Sequence, residues 1–198
     1  MERTLMSRPS WARARSAPSL HWCLGYRLVV IAAILAVVVL STATGLTLWV
    51  LHLQETAAPL PEWLRALRAL GPGDGYSRRS GLGVVAATYY SIVPLLFPLS
   101  FLSTWVLATY HADGVLREWI VQRRTLGGVL ACCVVMVAFP LIGVLFLSTF
   151  NGGDFRRLHI AGDPFSLLSA GWIPFVALGG VAAMGPCAVH ALRAQRRS

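Results

Sequence analysis

The sequence predicts an all-α membrane protein with four transmembrane helices and a short interfacial helix in the first outer loop. Of its 198 residues 56% are hydrophobic and only 13% are charged, and the mean hydropathy is +0.65. Soluble domains carry about 25% charged side chains. Four long stretches contain no Asp, Glu or Arg, and the 17 basic residues, all of them arginine, lie between and around them.

The four uncharged stretches are long enough to cross a bilayer as helices. They are Leu28–Gln54, Gly81–Tyr110, Thr125–Asn151 and Pro164–Leu192. Each exceeds the roughly 20 residues that about 30 Å of hydrocarbon requires, and none shows the alternation of a barrel strand. We therefore expect one transmembrane domain over residues 28–192, with spans near 28–52, 82–110, 125–150 and 165–191.

The distribution of arginine predicts the orientation. With four crossings, eleven arginines fall on one side and six on the other, and subtracting the carboxylates leaves +8 against +1. Cytoplasmic loops carry the excess of basic residues. The 1–27 arm and the 193–198 tail are therefore expected to be basic cytoplasmic segments. The all-arginine, alanine-rich composition suits a GC-rich bacterial genome, so the bacterial inner membrane is the expected location.

Small residues recur at four-residue spacing on two of the spans. The pairs are Ala32/Ala36, Ser41/Gly45 and Gly179/Ala183. Such ridges allow two helices to approach closely, but the spacing does not say whether the second helix belongs to this chain. The first span also contains Ser41-Thr42-Ala43, which loosely resembles a signal-peptide cleavage site. Because apolar sequence resumes at Leu46, we expect the span to stay uncleaved.

Prolines are expected to distort three of the spans. Pro94 and Pro98 remove two backbone donors from the second span and should kink it near its middle. Pro140 should kink the third span in the same way. Pro174 and Pro186 should kink the fourth. Broken helices expose backbone groups to substrate in transporters, although neighbouring helices usually satisfy such groups. No ionisable coupling group lies in the spans, which argues against a stand-alone coupled transporter.

The first outer loop contains a predicted amphipathic helix. Pro61 and Glu62 suit a helix start, and Gly71-Pro72-Gly73 suits a helix end. Arginines occupy one face of this helix. The opposite face carries Trp63, Leu64, Leu67 and Leu70. This pattern predicts an interfacial helix on the outer leaflet, with a partner's groove as the alternative occupant of the apolar face.

The loop after the second span, residues 112–125, is the predicted cytoplasmic contact site. Asp113 is suited to cap a short helix there. The candidate partner-contact residues are Arg117, Glu118, Trp119, Arg123 and Arg124. A short cytoplasmic helix between two spans is similar in topology to the helix by which permeases of exporter-type ATPases contact their nucleotide-binding subunit, and one interpretation is that this loop contacts such a partner. The other interpretation is that its arginines anchor the loop to anionic lipid.

No motif in the sequence predicts catalysis, a cofactor or a metal. There is no phosphate-binding glycine loop, no Cys-x-x-Cys and no convergent nucleophile, histidine and carboxylate. His52 with His159 and His111 with His190 could in principle hold haem. Each lies at a span end or in a loop, so we expect ordinary interfacial histidines, no catalytic residue and no cofactor.

These observations predict a non-catalytic integral membrane subunit or accessory protein of a larger inner-membrane assembly. Its expected partners are the lipid bilayer and other membrane protein subunits, and not nucleic acid. The alternative is a permease subunit of a membrane transporter that couples to a cytoplasmic partner through the 112–125 loop. A membrane immunity protein and a b-type cytochrome subunit are further alternatives.

Overall fold

The chain folds into packed helices. The structure is a computed structural model, and it describes residues 20–111, 126–151 and 162–196. Helices make up 84% of these residues, and no strand occurs among them. The helices are α1 Leu20–Glu55, α2 Glu62–Leu70, α3 Gly73–Tyr76, α4 Val84–Ile92, α5 Leu96–His111, α6 Leu126–Thr149, α7 Pro164–Ala170 and α8 Ile173–Arg196. A 3-10 turn, Val93–Leu95, joins α4 to α5.

Three segments are long and apolar enough to cross a membrane. They are Gly25–Glu55, Val84–Ala108 and Pro164–Val189. They fall on the predicted first, second and fourth spans, and they fit a multi-pass membrane protein. Helix α6 contains a further apolar stretch over Cys133–Thr149.

Helices α5 and α8 form the middle of the packing. Helix α5 lies between α1 and α8. Helix α8 packs against α5 on one side and against α6 on another, while α1 packs against α4 and α5. Beside α2 lie helix α4 and the C-terminal part of α1, and the segment after α2 reaches the C-terminal end of α6 and the N-terminal end of α8. We call this the α2 end of the bundle. Many large apolar side chains of α1 and α6 are exposed, as expected of surfaces that contact lipid.

Prolines interrupt the second span but not the third. The helix breaks at Val93–Leu95, around Pro94, and resumes in α5, which contains Pro98. By contrast, α6 continues through Pro140 and α8 continues through Pro186. The fourth predicted span divides between α7 and α8, at a turn just before Pro174. Helix breaks therefore occur at Pro94 and just before Pro174, whereas Pro98, Pro140 and Pro186 lie inside continuous helices.

The Gly179/Ala183 ridge is used inside the chain. A Cβ built at Gly179 would collide with the Phe97 carbonyl oxygen of α5. Gly185, six residues further along α8, gives the same close approach to α6, since its Cβ would lie 2.6 Å from Pro140 Cγ and 2.9 Å from the Met136 carbonyl oxygen. In a regular helix the N–H of residue 140 would bond the Met136 carbonyl, but Pro140 has no N–H to donate. These glycines let α8 pack closely against both α5 and α6.

The C-terminal end of α1 has the hydrogen bonds of a Schellman motif. The Ala58 N–H bonds the Leu53 carbonyl at 2.9 Å, and the Ala57 N–H bonds the Gln54 carbonyl at 3.2 Å. Ala57 adopts a left-handed conformation, with φ of 54°, that such helix ends usually assign to glycine. Pro59 follows and cannot continue the helix. The chain therefore leaves α1 in a fixed direction that leads into α2.

Candidate interaction surfaces

Helix α2 divides its predicted apolar face between the protein and the surroundings. Leu64 is fully buried and Leu67 packs partly buried against the same core. Trp63 is 52% exposed and Leu70 is 88% exposed. The helix is therefore attached to the bundle by Leu64 and Leu67, and its remaining apolar surface is open. The sequence pattern groups these four residues on one face of the helix but does not separate these two roles.

A stacked tryptophan pair joins α2 to the end of α1. The Trp49 and Trp63 rings lie 5.7 Å apart between centroids with an interplanar angle of 9°. Trp49 belongs to a helix that is apolar enough to span a membrane, and tryptophan is enriched at membrane–water interfaces. The stack therefore holds α2 beside the last two turns of α1.

The two small-residue ridges of α1 have different surroundings. Ala32 is buried, and Ala36 packs against the core. Ser41 and Gly45 are exposed, and no atom of the described residues lies within 4 Å of a Cβ built at Gly45. Val37 and Leu48, one turn before and about one turn after this pair, are also exposed. We call the strip formed by Val37, Ser41, Gly45 and Leu48 the open face of α1.

A cluster of aromatic rings fills the α2 end of the bundle. Its rings lie between 5.0 and 6.1 Å apart, mostly edge to face or tilted, an arrangement that aromatic pairs favour. The cluster brings α3, α4, α6 and α8 together. Its members are Tyr76, Tyr89, Tyr90, Phe146, Phe150 and Phe175. The cluster was not predicted, although the Tyr89-Tyr90 pair and the four-residue spacing of Phe146 and Phe150 are signals of it in the sequence.

The segment that leads from α2 to α4 crosses this cluster, and we call residues 71–80 the strap. Tyr76 of the strap donates a hydrogen bond to the Leu147 carbonyl of α6 at 2.7 Å. The Arg79 N–H bonds the Asn151 carbonyl at 2.9 Å. Gly73 lies so close to α4 that a Cβ would collide with the Ala87 carbonyl. The strap thus connects the ends of α4 and α6.

One hydroxyl in the aromatic cluster lacks a partner. Tyr90 is fully buried, and its hydroxyl has no hydrogen-bond partner among the residues that the structure describes. Tyr89 differs, because its hydroxyl reaches the Leu168 carbonyl at 3.5 Å, at the limit of a hydrogen bond. Leaving a buried polar group unsatisfied costs about 1–3 kcal/mol. Tyr90 is therefore the least satisfied group of the cluster.

Electrostatic contacts at the α2 end are few in the described part of the chain. Arg68 Nη2 and Asp74 Oδ1 form an ion pair at 2.6 Å that fixes the strap to α2, and the Asp74 side chain is 61% exposed. Burial raises the pKa of the Tyr76 phenol, so the phenol stays protonated and can donate its hydrogen bond. Before α7, the Ser166 N–H bonds Asp163 Oδ2 at 2.8 Å and lowers the pKa of that carboxyl.

The predicted cytoplasmic contact site lies outside the described residues. This concerns the whole of the 112–125 loop, with Arg117, Glu118, Trp119, Arg123 and Arg124. His159 also lies outside them, and His52 is exposed at the end of α1. Among the residues that the structure describes, no three His, Cys, Asp or Glu side chains are grouped so that they could hold a metal ion.

Comparisons with protein-family models, with curated proteins and with solved structures find no match for this chain.

Proposed function

We propose that this protein is a non-catalytic integral membrane subunit or accessory protein of a larger inner-membrane assembly. In this proposal the chain crosses the membrane four times and both ends are cytoplasmic. The third crossing is α6, which has 24 residues. The arginine distribution supports the orientation, since it leaves +8 on the side of the two chain ends and +1 on the other.

Helix α2 is proposed to lie in the outer membrane interface. The support is the exposed Trp63 and Leu70 beside a buried Leu64, together with the Trp49–Trp63 stack. An amphipathic helix with tryptophan and leucine on one face and arginine on the other suits the boundary between headgroups and acyl chains. In this position α2 sets the depth of the whole bundle in the membrane.

The observation that carries the subunit proposal is the open face of α1. The Gly179/Ala183 ridge is covered inside the chain, and the Ser41/Gly45 ridge is not. Transmembrane helices associate by close backbone approach at small residues, because lipid tails give no hydrophobic driving force between helices. A helix of a partner protein can approach α1 at Gly45 and form polar contacts with the Ser41 hydroxyl. We propose that the partner subunit binds there.

Co-purification of the tagged protein from native membranes in mild detergent tests this proposal. The variant Gly45→Ile fills the open face with a side chain, and the expected result is loss of the partner that accompanies the wild type. Val144→Ile on α6 is the matched control, because Val144 is 61% exposed and lies on another helix. Recovery of the wild-type chain alone, or equal partner recovery with Gly45→Ile, would contradict the proposal.

A further inference from the structure

The space occupied by Tyr76 resembles a filled binding site. Tyr76 and Tyr90 both contact the same two rings, Phe150 and Phe175, at 5.3–6.1 Å. Tyr76 belongs to the strap, whereas Tyr90 belongs to α4. Withdrawal of the Tyr76 side chain would leave a space the size of one ring, with Phe150 and Phe175 as its walls. Tyr90 contacts both of these walls.

The strap has the features of a movable cover. It contains Gly71, Gly73 and Gly75, and glycine permits a wide range of backbone conformations. It contacts α6 through the hydrogen bond of the Tyr76 hydroxyl, the backbone bond from Arg79 and the ring contact with Phe150, and it packs on α4 at Gly71 and Gly73. Its ion pair to α2 is made by the largely exposed carboxylate of Asp74. For the Tyr76 side chain to leave, its hydroxyl bond to Leu147 and its ring contacts with Phe150 and Phe175 must break.

The unpartnered hydroxyl of Tyr90 determines what the space would accept. While Tyr76 fills the space, the Tyr90 hydroxyl is buried and makes no hydrogen bond with the described residues. It can donate a hydrogen bond to a molecule that replaces the Tyr76 ring. The cluster consists of tyrosine and phenylalanine rings and contains no charged side chain, so a charged ligand would lose its hydration without gaining an ion pair. An apolar ring with an acceptor oxygen meets both requirements.

We propose that the aromatic cluster is a ligand site, covered by the strap, for a small uncharged apolar molecule that carries a carbonyl oxygen. The ligand takes the place of the Tyr76 ring between Phe150 and Phe175, and its carbonyl accepts a hydrogen bond from Tyr90. Binding is non-covalent. The site differs from the open face of α1, so it does not depend on the proposed partner subunit.

Equilibrium dialysis of the full-length protein in lipid nanodiscs, against empty nanodiscs, tests the ligand site. The probe is tetramethyl-1,4-benzoquinone, and the matched probe without carbonyls is 1,2,4,5-tetramethylbenzene. We expect Tyr90→Phe to bind the quinone about ten-fold more weakly than the wild type, since one hydrogen bond is lost. Binding of the hydrocarbon should be unchanged by this substitution. Tyr90→Phe keeps the ring, and an unaltered melting temperature shows that it is folded.

Two further variants test the cover. Tyr76→Phe removes the bond to Leu147 but keeps the ring, and we expect about five-fold tighter quinone binding because the site opens more readily. A disulfide between Gly71→Cys and Ser91→Cys should fix the strap to α4, since a Cβ built at Gly71 lies 3.2 Å from Ser91 Cβ and bonded pairs lie about 3.5–4.5 Å apart. Binding should then be lost and return on reduction, and the two single variants are the controls.

Three results would overturn the proposal. The first is no saturable binding of the quinone by the wild type. The second is equal binding by the wild type and Tyr90→Phe. The third is unchanged binding when the disulfide has formed, which would remove the strap as the cover of the site.

Discussion

Two tyrosines of the aromatic cluster provide a test at the scale of single residues. The Tyr76 hydroxyl donates a hydrogen bond to Leu147, whereas the Tyr90 hydroxyl is buried without a partner in the described part of the chain. We expect Tyr76→Phe to lower the free energy of unfolding by about 1 kcal/mol. Tyr90→Phe should leave it unchanged or raise it. Unfolding in mixed micelles at increasing SDS fraction measures both free energies. A larger loss of unfolding free energy for Tyr90→Phe than for Tyr76→Phe would contradict the finding that the Tyr90 hydroxyl has no partner while the Tyr76 hydroxyl has one.

Two glycines provide a second residue-scale test. Gly179→Ala places a methyl group against the Phe97 carbonyl oxygen, and Gly45→Ala places one in open space. Forcing an extra methyl into a packed contact costs about 1–3 kcal/mol, so Gly179→Ala should destabilise the isolated protein by that amount. Gly45→Ala should not destabilise it, because alanine favours a helix over glycine. The SDS unfolding midpoints of the two variants check this, and similar midpoints would be inconsistent with the packing of α8.

At the scale of the element, the end of α1 depends on an alanine in a conformation suited to glycine. A residue other than glycine in the left-handed conformation costs roughly 1–2 kcal/mol of stability. Replacing it with glycine removes this strain, but part of the gain is offset because glycine has greater conformational freedom in the unfolded chain. Ala57→Gly should therefore stabilise the protein by about 0.5–1 kcal/mol. Ala58→Gly, one residue later, is the control that should not stabilise. A lower unfolding midpoint for Ala57→Gly would show that α1 ends differently.

The capping hydrogen bond at the start of α7, between the Ser166 N–H and the Asp163 carboxylate, contributes to stability in a pH-dependent way. The bond from the Ser166 N–H lowers the pKa of Asp163 in the folded protein. Its contribution is therefore complete above the unfolded pKa of about 4 and is lost as the pH falls through the lower folded value. Asp163→Asn keeps a capping side chain that does not titrate. Between pH 7 and pH 3 the wild type should lose more thermal stability than this variant; equal losses would argue against the cap.

At the scale of the whole molecule, composition and periodicity predicted the helices but not their contacts. The absence of charge over long stretches was enough to place α1, α4 with α5, and α7 with α8. Pro61 and Gly71 were enough to place α2. The roles of Leu64 and Trp63 could not be separated, because a hydrophobic face looks the same whether protein or lipid covers it. The strap was missed because Tyr76 contacts Leu147, which is distant in the sequence.

The open face of α1 is also a property of the whole molecule. Only the folded chain shows that the Gly179/Ala183 ridge is covered by α5 and that the Ser41/Gly45 ridge remains uncovered. The sequence gives both ridges the same spacing. The proposed role as a subunit therefore rests on a difference that arises from packing, and it is best tested in the membrane itself.

Site-specific photo-crosslinking in native membranes tests the central claim most directly. A benzophenone amino acid replaces Ser41 on the open face of α1, and in a matched protein it replaces Leu141, which is exposed on α6. We expect a discrete protein adduct from position 41 and only lipid adducts from position 141. Lipid adducts alone from position 41, with the protein folded and inserted, would contradict the proposal that a partner subunit binds this face.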